Sequence, residues 1–289
     1  MAVTVELGLV GAGISGSFSP ALHEGEARRL GLKPEVHYRL IDLDALGLGP
    51  EDIGEIIRAT RLLGFAGLNI THPVKQAVIP HLDALSGEAG IIGAVNTVVF
   101  ADGRAVGHNT DWYGFAELDK LALAGEKNDR VVQLGAGGAG SAVAFAQLNL
   151  GVQHLELLDV DYERAEGLAA SLTIQFGEGR VIARPMESLA EAVETADGIV
   201  NATPIGMDAH PGSPVPEGLL TASHWVLDVV YRPIETQLIK DARAHGARAT
   251  GGAAMTVFQA AEAFRLFTGQ TPDPSRMLAH MHELIAAER

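Results

Sequence analysis

The stretch Gly135-Ala136-Gly137-Gly138-Ala139-Gly140 constrains this chain more than any other. Val131-Val132-Gln133-Leu134 before it is a short apolar run rich in β-branched residues. Ser141-Ala142-Val143-Ala144-Phe145-Ala146-Gln147-Leu148 after it reads as a helix packed on a sheet. Strand, glycine turn and helix in that order give the context in which Gly-x-Gly-x-x-Gly marks a dinucleotide site. Gly135 permits the tight turn, Gly137 lets a pyrophosphate approach the backbone, and Gly140 lets helix and strand pack closely. The helix N-terminus supplies N–H groups and a partial positive charge for phosphates. The next predicted strand, His154 to Leu158, ends at Asp159. That is about twenty residues past the glycines, where a carboxylate accepts the ribose hydroxyls of NAD. Asp161 and Glu163 follow, with Arg164 as the one base in reach, so a 2′-phosphate would be repelled. The expected cofactor is NAD(H) in preference to NADP(H).

A second match, Gly11-Ala12-Gly13-Ile14-Ser15-Gly16, follows the predicted strand Thr4 to Val10 and precedes another strand ending near Asp42. Here Ser17-Phe18-Ser19-Pro20 delays the helix. Ser19 suits the N-cap and Pro20 the first helical position, which leaves Gly16 outside the helix. The cofactor is therefore expected on Gly135–Gly140.

The 289 residues suit two modest α/β domains, and 47% apolar residues suffice for their cores. No apolar run is long enough for a transmembrane helix, and no signal peptide is recognisable at the N-terminus. The chain has no cysteine, which excludes disulfides and thiol catalysis and fits a cytoplasmic setting. A net charge of −15 argues against nucleic-acid and anionic-membrane partners. His72, His108, His210 and His224 show no metal-ligand spacing, so no metal is expected. The serines lack a nucleophile elbow, which argues against acyl transfer.

Strand and helix patterns alternate along the chain, which implies mostly parallel sheets with helices on their faces. In the first part, helices are predicted over Ser19 to Leu30, Pro50 to Leu63 and from Pro73 to about Ile79, and strands over Val36 to Ile41, Phe65 to Ile70 and Ala94 to Phe100. Ala101-Asp102-Gly103 is read as a turn, and Thr110 as the cap of a helix from Asp111. In the second part, Ile234 to His245 is predicted as one helix, and the Pro- and Gly-rich loop Thr203 to Glu217 as functional because of its length. Polar residues cluster at strand ends: Ser17 and Ser19; Asn69, Thr71 and Lys75; Asn96 and Thr97; Asn109, Thr110 and Asp111. Ligands bind beyond the carboxyl ends of strands in open α/β sheets, and these donors and acceptors suit a small polyol. Lys75 and Asp111 are the charged members, hence the candidates for proton transfer.

These clusters resemble the motifs of the shikimate dehydrogenase family. Ser17-Phe18-Ser19-Pro20, Asn69-Ile70-Thr71-His72-Pro73-Val74-Lys75, Gly93-Ala94-Val95-Asn96-Thr97, Gly107-His108-Asn109-Thr110-Asp111, the glycine loop, Asn201-Ala202-Thr203-Pro204-Ile205-Gly206-Met207, Asp228-Val229-Val230-Tyr231-Arg232-Pro233, and Met255 with Gln259 occur in the family's order. Asp159 is similar to the acid of the NAD-dependent quinate/shikimate branch, where NADP-using members carry a basic turn.

The resemblance implies two α/β domains with a cleft between them. Residues 1–108 with 252–289 would form a mostly parallel sheet domain for substrate, and 109–251 a Rossmann-like NAD-binding domain. It implies that Ser17 and Ser19 hold the substrate carboxylate, with Tyr231 approaching it, and that Asn69, Thr71, Asn96, Asp111 and Gln259 bind ring hydroxyls. Lys75, paired with Asp111, would move the proton. Gly135, Ala136, Gly137, Gly138, Ala139, Gly140, Asp159, Arg164, Asn201, Thr203, Pro204, Met207, Val229, Gly252 and Met255 would hold the cofactor. The implied activity is reversible oxidation of shikimate to 3-dehydroshikimate, with quinate as a further candidate substrate, by a monomer or homodimer. The implied setting is aromatic amino-acid (chorismate) biosynthesis or quinate catabolism. Two positions depart from the family. Phe18 stands where many relatives carry a basic residue. Thr256 stands where shikimate-specific members show leucine, and is expected to help admit quinate's extra hydroxyl. The alternatives are a dehydrogenase of aminoshikimate or another alicyclic hydroxy acid, and a non-catalytic NAD- or shikimate-binding sensor.

Overall fold

The computed structural model describes residues 4–287, and the chain divides into two compact units, Met1–Thr110 with Val257–Arg289, and Asp111–Thr256. The first unit begins with β1 (Val5–Gly11), α1 (Ser19–Arg29), β2 (Val36–Asp42), α2 (Leu43–Leu46), α3 (Ile53–Leu62) and β3 (Gly67–Ile70). It continues with β4 (Ala84–Leu85), α4 (Gly87–Ile92), β5 (Thr97–Ala101) and β6 (Arg104–His108). The sheet order is β2-β1-β3-β5-β6-β4. β1 pairs parallel with β2 and β3, β5 runs antiparallel to β3 and β6, and β4 is parallel to β6. β1 is buried without interruption from Leu7 to Gly11, as an inner strand covered on both faces must be. Edge strand β2 instead alternates buried Val36 and Tyr38 with exposed His37 and Arg39. α3 buries Ile53, Ile56, Ile57 and Thr60, one stripe at helical spacing. Asp102 and Gly103, both at positive φ, turn β5 into β6.

The second unit holds α5 (Asp111–Ala122), β7 (Arg130–Leu134), α6 (Gly138–Asn149), β8 (His154–Leu158), α7 (Tyr162–Phe176) and β9 (Val181–Arg184). After these come α8 (Leu189–Glu194), β10 (Gly198–Asn201), β11 (Trp225–Asp228), α9 (Gln237–Ala244) and β12 (Arg248–Thr250). Its sheet runs β12-β11-β10-β7-β8-β9 with every pair parallel. That is the doubly wound order, with its switch point between β7 and β10. α6 buries every residue from Gly140 to Leu148, as a helix apolar all round requires. The last helices are α10 (Ala253–Thr268) and α11 (Pro274–Ala287). The return to the first unit falls inside α10, at Val257, a little later than the Gly252 boundary read from the sequence. Ala263, Phe264 and Phe267 of α10 join the core of Leu7, Leu9, Val36 and Tyr38. The buried Glu26 carboxylate of α1 accepts from the Asp273 N–H (2.9 Å) and from Arg276 Nε (3.1 Å), which ties α11 to α1.

Three predicted helices come out shorter or absent. Pro73 to Ile79 is a series of turns ending in a 3-10 turn at Ile79–His81. Val74 and Val78, both fully buried, have helical spacing, but the Val78 N–H to Val74 carbonyl bond (3.0 Å) is one isolated turn between Pro73 and Pro80. Pro50–Asp52 is a 3-10 turn before α3. Ile234 and Glu235 lie outside α9, because Thr236 caps it by accepting from the Ile239 N–H (3.3 Å). At α1 the helix includes Ser19, and Ser17 Oγ accepts the Ser19 N–H (3.2 Å).

His23 of α1 is 1% exposed, stacks on Tyr38 with ring centroids 4.8 Å apart, and has Phe264 and Phe267 at 6.0 Å. Burial pushes its imidazole from 6.5 down to about 3, so it is neutral in the fold. The unfolded chain takes up this proton below 6.5 and the folded chain does not until about 3. Stability is therefore full above pH 6.5 and declines toward pH 3, by up to about 1.4 kcal/mol per pH unit. Urea unfolding at pH 7 and pH 5 is expected to show a smaller loss of stability in His23→Leu than in the parent. An equal loss in both would overturn this.

Candidate functional site

In the first unit, strand direction brings the polar clusters to one edge of the sheet. The carboxyl ends of parallel β1 and β3 lie there, as do the start of antiparallel β5 and the end of β6. Ser17 and Ser19 follow β1, Asn69 lies in β3 just ahead of Thr71 and Lys75, Asn96 precedes β5, and Asn109 and Thr110 follow β6. Ser17 Oγ donates to Ser19 Oγ (3.1 Å) at the head of α1. Phe18 is buried between them, so it adds packing and no charge. The Lys75 carbonyl accepts the Val95 N–H (2.8 Å), which fixes its turn beside Asn96.

Two buried amides knit this edge together. Asn69 Oδ1 accepts from the Tyr38 hydroxyl (2.7 Å), and Asn69 Nδ2 donates to Thr97 Oγ1 (3.0 Å) and the Asn96 carbonyl (3.3 Å). Asn96 Oδ1 accepts from the Thr110 N–H (2.6 Å) and Thr97 Oγ1 (3.0 Å). Asn96 Nδ2 donates to Thr110 Oγ1 (3.0 Å) and Gln259 Oε1 (3.3 Å). Asn109 Nδ2 donates to the Ala94 carbonyl (2.9 Å). With Gln259 Oε1 taken, the Nε2 donors are what Gln259 offers a hydroxyl.

In the second unit all six strands are parallel, so their carboxyl ends share one edge. The glycine turn follows β7, Asp159 follows β8, Asn201–Met207 follows β10, Val229 follows β11, and Gly252 and Met255 follow β12. Gly135 has φ +97°, and a Cβ on it would stand 2.7 Å from the Ala202 carbonyl oxygen across the switch point. A Cβ on Gly140 would collide with the Gly135 carbonyl, so this glycine sets the approach of α6 to the turn. A Cβ on Gly137 would meet nothing within 4 Å, which is the open cradle a pyrophosphate needs at the start of α6. Gln133, fully buried, donates from Nε2 to the Gly135 and Gly140 carbonyls (both 2.8 Å) and accepts from Gln147 Nε2 (2.7 Å), which pins the loop.

Asp159 is 8% exposed and accepts from the Ala136 N–H (2.7 Å) and the Asp161 N–H (2.9 Å). Arg164 lies 3.5 Å from Asp159 and 3.2 Å from Asp161, so this guanidinium is already ion-paired twice. Asn201 is fully buried with its amide engaged. Nδ2 donates to Asp228 Oδ1 (2.9 Å) and the Ile205 carbonyl (3.0 Å), and Oδ1 accepts from the N–H (3.0 Å) and hydroxyl (2.6 Å) of Thr203. Asn201 thus shapes the loop that presents Thr203, Pro204 and the exposed Met207. Burial raises the Asp228 carboxyl, while Thr236, Val230 and Asn201 donate to it. Asp111 opens α5 and is 7% exposed, and Tyr231 follows β11, half-buried.

The second glycine motif is closed to a ligand by the protein itself. The Asp42 carboxylate takes the Gly13 N–H (3.1 Å) and the Ile14 N–H (3.0 Å), and the His72 carbonyl takes the Ala12 N–H (2.9 Å). Tyr38, Gln133 and Gln147 were missed in the sequence. Tyr38 could have been noticed as an inward-facing position of an alternating strand, but its contact with Asn69 spans strands. Among the described residues no group of three or more His, Asp or Glu could hold a metal ion, and no helix is long and apolar enough to cross a membrane.

Residues 9–98 match the shikimate dehydrogenase substrate binding domain, and residues 252–282 match the shikimate 5′-dehydrogenase C-terminal domain. The chain is 57% identical to a shikimate dehydrogenase (NADP(+)) of Streptomyces avermitilis, over 96% of this chain and 95% of that one. It is 47% identical to a quinate/shikimate dehydrogenase (NAD(+)) of Corynebacterium glutamicum, over 95% of this chain and 96% of that one. Its fold superposes on a quinate dehydrogenase from Corynebacterium glutamicum in complex with NAD with a TM-score of 0.91 at 45% identity, covering 97% of this chain and 99% of that one. Matching domains, shared length and shared fold agree: the chain belongs to the shikimate dehydrogenase family, oxidoreductases that act on CH–OH groups with NAD(P).

Proposed function

We propose that this protein is an NAD(H)-preferring shikimate dehydrogenase that also accepts quinate. The names of its relatives divide between the two cofactors, so the preference rests on this chain's own residues. The observation that carries it is the Asp159–Arg164 corner. A buried carboxylate sits at the end of β8, and the nearby guanidinium is held by two acids. A 2′-hydroxyl finds an acceptor there, whereas a 2′-phosphate meets Asp159 and Asp161 with their cation already engaged.

The bound cofactor supplies the hydride acceptor. The work of the protein is binding, orientation and proton transfer. Ser17 and Ser19, at the start of α1, hold the acid's carboxylate with hydroxyl donors and the positive end of the helix. Asn69, Thr71, Asn96, Asp111 and Gln259 take the ring hydroxyls, and Tyr231 approaches the carboxylate. Lys75 takes the alcohol proton as the carbon loses hydride, and returns it in the reverse direction. The residues of the glycine turn, with Asp159, Thr203, Pro204, Met207, Val229, Gly252 and Met255, form the cofactor's bed. Arg164 and Asn201 serve it indirectly, through Asp159 and through the Thr203 loop.

Initial rates of reduced-cofactor formation with shikimate or quinate, each with NAD⁺ or NADP⁺, test the assignment. NAD⁺ preference with turnover of both acids is expected. NADP⁺ preference would overturn the reading of Asp159, and shikimate turnover alone would remove quinate. Lys75→Ala is expected to lower kcat by about 10²–10⁴-fold with a much smaller change in KM; an unchanged kcat would remove Lys75 from the proton transfer. Thr256 donates its hydroxyl to the Gly252 carbonyl (3.2 Å) in the first turn of α10. Thr256→Leu, bulkier and without that hydroxyl, is expected to lower the quinate-to-shikimate rate ratio. An unchanged ratio would dismiss Thr256 as a specificity residue.

A further inference from the structure

Gln133 lies in β7 among Val131, Val132 and Leu134, is fully buried, and reaches the glycine turn and α6 at once. Its Nε2 donates to the Gly135 carbonyl and to the Gly140 carbonyl (both 2.8 Å). Its Oε1 accepts from Gln147 Nε2 (2.7 Å), on the same face of α6 as Gly140 and about two helical turns further along. A Cβ on Gly140 would stand 2.2 Å from the Gly135 carbonyl oxygen and 3.3 Å from Gln133 Nε2, so the missing side chain lets this amide sit between turn and helix.

The carbonyl that Gln133 holds at Gly135 belongs to the peptide unit whose N–H, at Ala136, donates to Asp159 Oδ2 (2.7 Å). One planar unit is gripped at both ends, so its orientation is fixed. The Gly135 N–H is taken by the Leu158 carbonyl (2.8 Å). What remains for an anion is the start of α6, whose first N–H groups have no partner within the helix. Gly135, Gly137 and Gly138 make this turn intrinsically loose, and the amide restrains it. The glutamine pair is a poor way to stabilise a core. Gln147 Oε1 is buried and has no partner among the described residues, and two apolar side chains of similar size would leave no such group. The place where the amides hold the turn accounts for them better.

We propose that Gln133 is a positioning residue for the cofactor, whose amide, oriented by Gln147, presets the Gly135–Ala136 peptide and the head of α6 for a pyrophosphate. This rests on the reading of the glycine turn as the pyrophosphate cradle, and it holds for NAD and NADP alike, since both carry that group. A preset turn has its N–H groups converged before the cofactor arrives, so little backbone remains to be ordered on binding. Without the amide, the Gly135 and Gly140 carbonyls lose a donor and the ligand must order the turn itself.

Gln133→Met tests this, because it keeps the length of the side chain and removes the amide. The double variant Gln133→Met with Gln147→Met also removes the Gln147 amide that the single substitution strands, so its thermal stability is expected to exceed that of the single variant. The Kd values of NADH and of ADP are expected to rise about tenfold in both variants, the size set by ordering the backbone of roughly one residue on binding. The Kd of adenosine, which lacks the diphosphate, is expected to stay within about twofold of the parent's. ADP has neither nicotinamide nor 2′-phosphate, so calorimetry with it reads the cradle whatever the substrate and the cofactor preference. Unchanged Kd values for NADH and ADP, values restored in the more stable double variant, or an equal rise for adenosine would overturn the proposal. ADP binding to the parent no more tightly than adenosine would overturn the reading of the turn as the cradle, and the proposal with it.

Discussion

Backbone N–H groups that leave a β-ladder need new acceptors, and in this protein a carboxylate from the neighbouring strand supplies them twice. Asp42 at the end of β2 takes the Gly13 and Ile14 N–H groups past β1, and Asp159 after β8 takes the Ala136 N–H past β7. The parallel pairing of β1 with β2 and of β7 with β8 brings each acid level with its turn. The two turns part ways after that. The first turn leads to a delayed helix and has three successive N–H groups consumed. The second runs straight into α6, with Gly137 standing over open space. Two similar glycine motifs therefore differ in what they can offer an anion, because of where the next helix starts and which N–H groups are already taken.

The first unit's polar edge obeys the same accounting. Asn69 and Asn96 are buried, and an unsatisfied buried amide costs about 1–3 kcal/mol for each unpaired group. Their partners come from β2, β5, the end of β6 and one late helix, so the edge can form only once β2, β3, β5, β6 and α10 are assembled. That assembly orders the site before any ligand arrives, which keeps the entropy lost on binding small. The same logic fixes the loop after β10, where Asn201 and Asp228 satisfy each other and leave Thr203, Pro204 and Met207 at the edge.

Much of this was legible one element at a time. Strand, glycine turn and helix around Gly135–Gly140, the Ala101-Asp102-Gly103 turn, and the alternation that makes an α/β fold are local patterns, and local sterics impose them. Pro73 to Ile79 misled because Val74 and Val78 have helical spacing, whereas Pro73 and Pro80 leave room for turns alone. Ile234 misled because Thr236 is the better cap. Gln133, Gln147 and Tyr38 were harder to read, since their polar partners lie on other elements: Gln133 of β7 meets the glycine turn and Gln147 of α6, and the Tyr38 hydroxyl of β2 meets Asn69 of β3.

The sequence by itself determined which residues end strands, where the dinucleotide-type turn lies and which family the motifs resemble, because each follows from residues close together in the chain. The tertiary structure alone decided which of those strand ends share an edge. It also decided that Asp42 closes the first glycine turn, that Arg164 is held between two acids, and that the Tyr38 hydroxyl reaches Asn69. Each of these depends on strand order and on partners far apart in sequence, and hydrogen-bond partners of that kind are chosen by packing.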